Sequence, residues 1–320
     1  MFQDPTKRLA YVAWLVVCLV WGTTYLSIRI ALESIPPALV GGIRHVAAGA
    51  ILTVILALRE LRHQQSPVAT NYGLPSPKHW PALALLGFLM ICLGNGGVIW
   101  AEQWVPSGIA AVVVASSPFW MTGVEALMPG GERPPMRVLS GLFVGFAGIL
   151  LLVWPDLSAG GMLGRQFGLG VIALQIACAG WALGSVYGRR HAPEENVLAS
   201  AAMQMLFGGA MMIVLATLRG EWSHLSFTPR TIAAEIYLTL IGAVAAYSAY
   251  VYALKHLPVS TVSLYAYVNP VIAVILGSLV LGEPLGARVI GASALVLCGI
   301  AVVRVGTGPE AMPSRPRALR

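Results

Sequence analysis

The chain has 320 residues, 57% of them apolar and 10% charged, where a soluble domain carries roughly 25% charged residues. That composition excludes a soluble globular protein and describes one built for a bilayer. The formal charge of +7 does not point to nucleic acid, because the basic residues collect in the short segments between apolar stretches.

Ten stretches are long enough to cross a hydrocarbon core, which takes about 20 residues each. They predict helices at 9–32, 36–59, 80–103, 107–128, 136–154, 166–188, 196–218, 230–254, 258–281 and 286–304. Lys7 and Arg8 precede the first as they would a signal peptide, but that stretch is too long and lacks a small-residue cleavage site, so it reads as a retained helix. It carries Trp21 and Tyr25 at a depth suited to a cavity. The second holds Arg44, about 12 Å beyond its start, the only basic residue well inside a span. A charge there is costly toward lipid, so Arg44 is expected to point inward or to snorkel, with two jobs open to it: tying helices together or attracting an anionic group on a substrate. His45 beside it reads as packed. The polar segment 62–80 is a loop by composition.

The third helix contains "GNGG", with Asn95 near the midplane between Gly94 and Gly96. Glycine weakens a helix by about 1 kcal/mol relative to alanine and permits close approach, so this segment serves as a hinge beside a pathway or as a packing face. Ser116, Ser117 and Pro118 interrupt the fourth helix. Gly141, Gly145 and Gly148 form a small-residue face on the fifth, suited to scaffold packing. Further aromatics lie at cavity depth: Trp181 in the sixth helix, Tyr247 and Tyr250 in the eighth, and Tyr265 in the ninth. Asn269 and Pro270 sit about 16 Å into the ninth helix, near the centre of a roughly 30 Å core. The proline removes a backbone donor where no water replaces it. Tyr265 and Asn269, four apart, share a helix face, whereas Tyr267 does not.

The acids lie at helix ends, in loops or in first turns, and none is expected at the midplane. That placement argues against proton-coupled export of lipophilic cations, which needs a central carboxylate. Glu132 and Glu283, each beside proline, are expected to favour the N-terminal ends of the fifth and tenth helices. Cys18, Cys92, Cys178 and Cys298 have no metal or redox spacing and read as small core residues, and no cofactor or metal site is expected.

The chain is written twice. At an offset of 160, "WGTTYLSIR" from Trp21 aligns with "WALGSVYGR" from Trp181, and Arg44 falls on Gln204. At an offset of 152, Pro106 meets Pro258 and Pro118 meets Pro270. Five helices followed by their copy must insert the copy upside down, so the expected fold is all-α: two inverted five-helix repeats, 1–155 and 156–305, then a basic cytoplasmic tail, 306–320. Fourteen of the 20 Lys and Arg fall on one side if both termini are cytoplasmic, against five on the other.

With "WG" in the first helix, "GNGGVIWAEQWVPSGIAAVVVASSP" from Gly94 to Pro118 and "LYAYVNPVIAVILGSLVLGE" from Leu264 to Glu283, the chain resembles the EamA-type transporters of the drug/metabolite transporter superfamily. Together with "SVYGRR" from Ser185, these stretches are most similar to the YedA-like exporter branch. The resemblance implies a bacterial inner-membrane exporter of small metabolites working by alternating access, with a cavity lined by helices 1, 3, 4, 6, 8 and 9. Trp21, Tyr25, Asn95, Trp181, Tyr247, Tyr250, Tyr265 and Asn269 are the expected pathway residues. Gly94, Gly96, Pro118 and Pro270 are the expected hinges, and Arg44 is the intramembrane charge. Amino acids or related zwitterions lead as substrates, and an internal dyad leaves a monomer sufficient. Drug export, lipid-precursor flipping and a channel remain as alternatives. An enzyme is disfavoured, since no nucleophile-and-base pair or "HExxH" occurs.

Overall fold

The computed structural model describes residues 5–63, 73–128, 135–158, 161–191, 196–262 and 264–306. The linker 64–72, Glu132 and the tail 307–320 lie outside the described residues. Among the described residues all regular structure is helical. Eight helices are long and apolar enough to cross a membrane. They are α1 (Pro5–Ala31), α2 (Pro37–His63), α3 (Pro77–Ala101), α4 (Ser107–Leu127), α5 (Met136–Ser158), α6 (Gly161–His191), α7 (Val197–Leu218) and α8 (Pro229–His256). Two further apolar helices follow, α9 (Tyr265–Leu281) and α10 (Ala287–Gly306).

Local chemistry sets several boundaries. The Asn196 side chain accepts from Leu198 N–H at 3.0 Å to start α7, and Thr228 and Thr231 form a reciprocal capping box ahead of α8, with Pro229 in its first turn. Gly282, at φ 67°, ends α9 in the left-handed conformation that glycine adopts without penalty.

Three helices are irregular where they approach the centre. α3 contains a π segment, Gly87–Asn95, and α8 another, Leu238–Ala245. α4 is two pieces, Ser107–Val114 and Ser117–Leu127, so Pro118 opens the second piece rather than bending a continuous helix. The ninth stretch, expected as one helix from 258, is likewise divided, into Val259–Val262 and α9, and α9 then runs unbroken through Pro270.

The largest helix contacts join elements of the first half to elements of the second. α2 packs along α7 and α5 along α10; α1 packs on α8 and α9 as α6 packs on α3 and α4; α3 lies on α7 as α2 lies on α8; and α4 crosses α9. In the α5–α10 pair a Cβ on Gly299 would collide with the backbone of Gly145, and one on Gly148 would reach Leu295 Cβ at 2.9 Å. Small residues thus let two backbones touch where lipid supplies no hydrophobic drive between helices.

Glu283 departs from its expected role. Its carboxylate accepts from the N–H groups of Ser107 (2.7 Å) and Gly108 (2.9 Å), the first residues of α4, not from those of α10. The left-handed turn at Gly282 swings the side chain back across α4, whose free N–H groups and positive dipole end favour an anion. Glu221 does the same for α2, accepting from Ala38 (2.9 Å) and Leu39 (3.2 Å). In both cases an acid from the second half of the chain closes a helix start in the first.

Candidate functional site

A cavity of about 580 Å³, part of it open to solvent, lies among α1, α2, α3, α4, α6 and α9. α1 contributes Trp21, Thr24, Tyr25 and Ile28; α3 contributes Gly94, Asn95 and Val98; α9 contributes Tyr265 and Asn269. Trp181, Ala177 and Cys178 come from α6, Val114 and Ser117 from α4, and Arg44 from α2. Asn95 and Gly94 end the π segment of α3, a distortion that often accompanies functional sites.

Arg44 is 3% exposed and donates from Nη2 to Asn95 Oδ1 at 2.8 Å. Its Nε and Nη1 have no hydrogen-bond partner among the described residues. Of the two roles open to it, Arg44 does tie helices together, but through one side-chain amide and with donors to spare. His45 bonds the Gly41 carbonyl through Nδ1 at 2.7 Å and is buried, as a packed histidine should be.

The aromatic wall is built on Trp21. Its ring meets Trp181 edge-on at 5.3 Å and Tyr265 edge-on at 5.2 Å, and its Nε1 donates to the Gly242 carbonyl in the π segment of α8 at 3.3 Å. Tyr247 and Tyr250 do not line the cavity but stand behind it, so the lining includes α2 and no residue of α8. Tyr250 accepts from Trp181 Nε1 at 3.1 Å and shares a 2.8 Å bond with Ser185, fixing the indole from the rear. Tyr247 donates to Gln204 Oε1 at 2.6 Å. Their hydroxyls need these partners, and finding them inside the protein keeps both rings away from the cavity surface.

Asn269 is not the free amide that its setting implies. With its amide nitrogen facing them, it donates to the carbonyls of Cys18 (2.8 Å) and Tyr265 (3.2 Å), joining α9 to α1 while its side chain still lines the cavity. Gly94 and Gly96 sit against Trp181 and Met212, with a built Cβ at 3.0 and 3.1 Å from them, so both face neighbouring side chains closely.

Two acids near helix ends are buried within the protein. Glu102, which caps the end of α3, is fully buried, and Glu235 in α8 is 7% exposed. No carboxylate oxygen of either has a hydrogen-bond partner among the described residues. Arg29 donates to the Glu102 backbone carbonyl, not to its side chain. Neither acid lines the cavity.

The EamA-like transporter family model matches residues 8–154 and again 168–305, nearly the whole chain in two copies. The chain belongs to the EamA-like transporter family. Among relatives of this EamA-like chain is the uncharacterized inner membrane transporter YedA of Escherichia coli K12, 36% identical over 93% of this chain and 90% of its own length. The uncharacterized transporter YvbV of Bacillus subtilis is 25% identical over 95% and 93%. A crystal structure shares the fold at a TM-score of 0.65, with 19% identity over 92% of this chain and 96% of that one.

Sequence reasoning passed over several wall residues of this EamA-like protein. Cys178 faces the cavity and accepts from Ser117 Oγ at 3.4 Å, and Gln175 accepts from Trp120 Nε1 at 2.9 Å close by. Gln175 is three residues before Cys178, on one helical face, which is the signal that was there to read. Thr24 bonds the Trp21 carbonyl of its own helix, a pattern common to any apolar helix and therefore uninformative.

Proposed function

We propose that this chain is a secondary transporter that carries small metabolites, with amino acids or related zwitterions foremost, outward across a bacterial inner membrane by alternating access. The observation that carries the reading is the cavity itself: residues from α1 to α4 and from α6 and α9 share one wall, so movement between the two halves would open it to either side. The helix pairing supports two inverted five-helix repeats, 1–155 and 156–305, since exchanging α1–α5 with α6–α10 preserves its main pairs: α2 with α7, α5 with α10, α4 with α9, and α1 on α8 and α9 as α6 on α3 and α4. The distribution of basic residues supports cytoplasmic termini. In this reading Trp21, Tyr25, Trp181 and Tyr265 cover the apolar part of the solute, Asn95 and Asn269 hold polar parts of the wall in place, and Tyr247 and Tyr250 brace it from behind. Gly94, Gly96, Pro118 and Pro270 lie where the halves would flex, and a monomer suffices.

Counterflow in proteoliposomes tests this, with a panel of labelled amino acids and a lipophilic cation, each with and without a pH gradient. Saturable amino-acid counterflow that folded Trp181→Ala protein lacks is the expected result. Gradient-driven movement of the cation alone overturns it. That outcome favours a second reading, proton-coupled drug export, which draws on Glu102 and Glu235: an unpaired carboxylate costs several kcal/mol to bury ionised, so such an acid suits exchange of a proton for a cationic solute.

A further inference from the structure

The cavity wall contains one cationic side chain, Arg44, and no Asp or Glu. A guanidinium has five N–H groups and no acceptor, and burying it with donors unused is costly. Asn95 Oδ1 takes one of the two hydrogens on Nη2, while Nε and Nη1 have no partner among the described residues. Whichever Nη2 hydrogen Asn95 takes, the other stands beside an open donor, Nε on one edge or Nη1 on the other. One complete two-donor edge therefore remains. Two parallel N–H groups in a plane are the complement of a carboxylate.

The surroundings select the charge and body of the ligand. A second negative charge would find no second cation in the wall. The facing wall is Trp21, Trp181 and Tyr265, whose polar atoms are turned toward protein for Trp21 and Trp181. We propose that Arg44 anchors a single carboxylate of the substrate, held in orientation by Asn95, and that the substrate class is a small organic monocarboxylate whose apolar body lies on this aromatic wall. The proposal rests on the transport reading above and narrows its substrates to molecules that carry a free acid group.

The test is equilibrium binding to the purified full chain in detergent, using four probes that share a phenylethyl body: 3-phenylpropionate, 3-phenylpropionamide, 3-phenylpropylamine and 2-phenylethylphosphonate. Wild-type protein is expected to bind the carboxylate about 10- to 100-fold more tightly than the amide, and more tightly than the amine or the phosphonate. Arg44→Gln brings the carboxylate and amide to parity, and Arg44→Lys restores part of the difference. Asn95→Asp places a protein carboxylate against Nη2 and also removes the preference, whereas Trp181→Leu weakens all the probes that bind. Equal binding of carboxylate and amide by wild type overturns the anchor, as does a preference that survives in monodisperse Arg44→Gln protein, and a preference for the phosphonate overturns the single-charge assignment. Counterflow of a neutral solute by protein that binds none of the acids leaves the transport reading standing and overturns this one.

Discussion

Arg44 and Gln204 coincide when the sequence is aligned with itself, and the helices that carry them, α2 and α7, lie side by side. Both side chains are 3% exposed. Gln204 is closed off, its Oε1 accepting the Tyr247 hydroxyl. Arg44 lines the cavity with one donor committed to Asn95 and two buried nitrogens that have no partner among the described residues. Equivalent positions in the two halves have thus become a satisfied structural contact in one and a partly unpartnered cation in the other. The difference lies in what stands opposite: a tyrosine from α8 reaches one and the cavity the other.

The contrast is lost altogether if the two helices cannot close. A Cβ at Gly209 would lie 2.7 Å from the backbone nitrogen of Val46 and 3.1 Å from the His45 carbonyl carbon, and backbone does not move aside as a side chain does. Gly209→Leu should therefore abolish the monodisperse folded species on size-exclusion chromatography, the largest effect expected. Tyr247→Phe sharpens the comparison instead. It strips the donor from a buried amide oxygen and should lower stability by about 1–3 kcal/mol, read as a fall in thermal unfolding temperature, while the affinity for the phenylethyl probes stays close to wild type. Arg44→Gln should do the reverse, altering which probes bind more than it alters unfolding.

Smaller effects are expected where acids close helix starts between the halves. Glu221→Ala leaves the N–H groups of Ala38 and Leu39 without their acceptor, and a loss of about 0.5–2 kcal/mol is the usual cost of a missing cap. Glu283→Ala should cost a similar amount at α4. The smallest change belongs to Arg288→Ala: its 2.8 Å pair with Asp156 joins two partly exposed side chains, and such pairs contribute about 0–1 kcal/mol. A larger loss there, in the same thermal assay, would mean that the pair is shielded from water as the cavity groups are.

Much of the frame was legible from residues alone. The apolar stretches mark out the helices to within a few residues, because the length needed to cross hydrocarbon is a one-dimensional property; the exception is the ninth, expected from 258, which is divided into Val259–Val262 and α9 from Tyr265. Tyr265 over Tyr267 as a lining residue follows from helical periodicity in the same way, and the cavity is lined by the first and not the second. The π segments of α3 and α8 were not legible, since adding a residue to a turn leaves no signature in composition. Nor was the retreat of Tyr247 and Tyr250 behind the wall, which depends on Gln204 from α7 and on Trp181 and Ser185 from α6.

What the sequence determined by itself is the membrane setting, the number and order of the apolar helices, the duplication, and the family to which the motifs belong. These are matters of hydropathy, spacing and local pattern, all carried along the chain. The tertiary structure decided which buried polar groups are spent and which are left over. Asn269 is committed to a carbonyl of α1, Glu283 to the start of α4 and Gln204 to a tyrosine of α8, and Arg44 keeps unpartnered donors in a cavity wall. Each outcome depends on a partner far away in sequence, because in a medium without water a hydrogen-bonding group is satisfied only by what the fold brings to it.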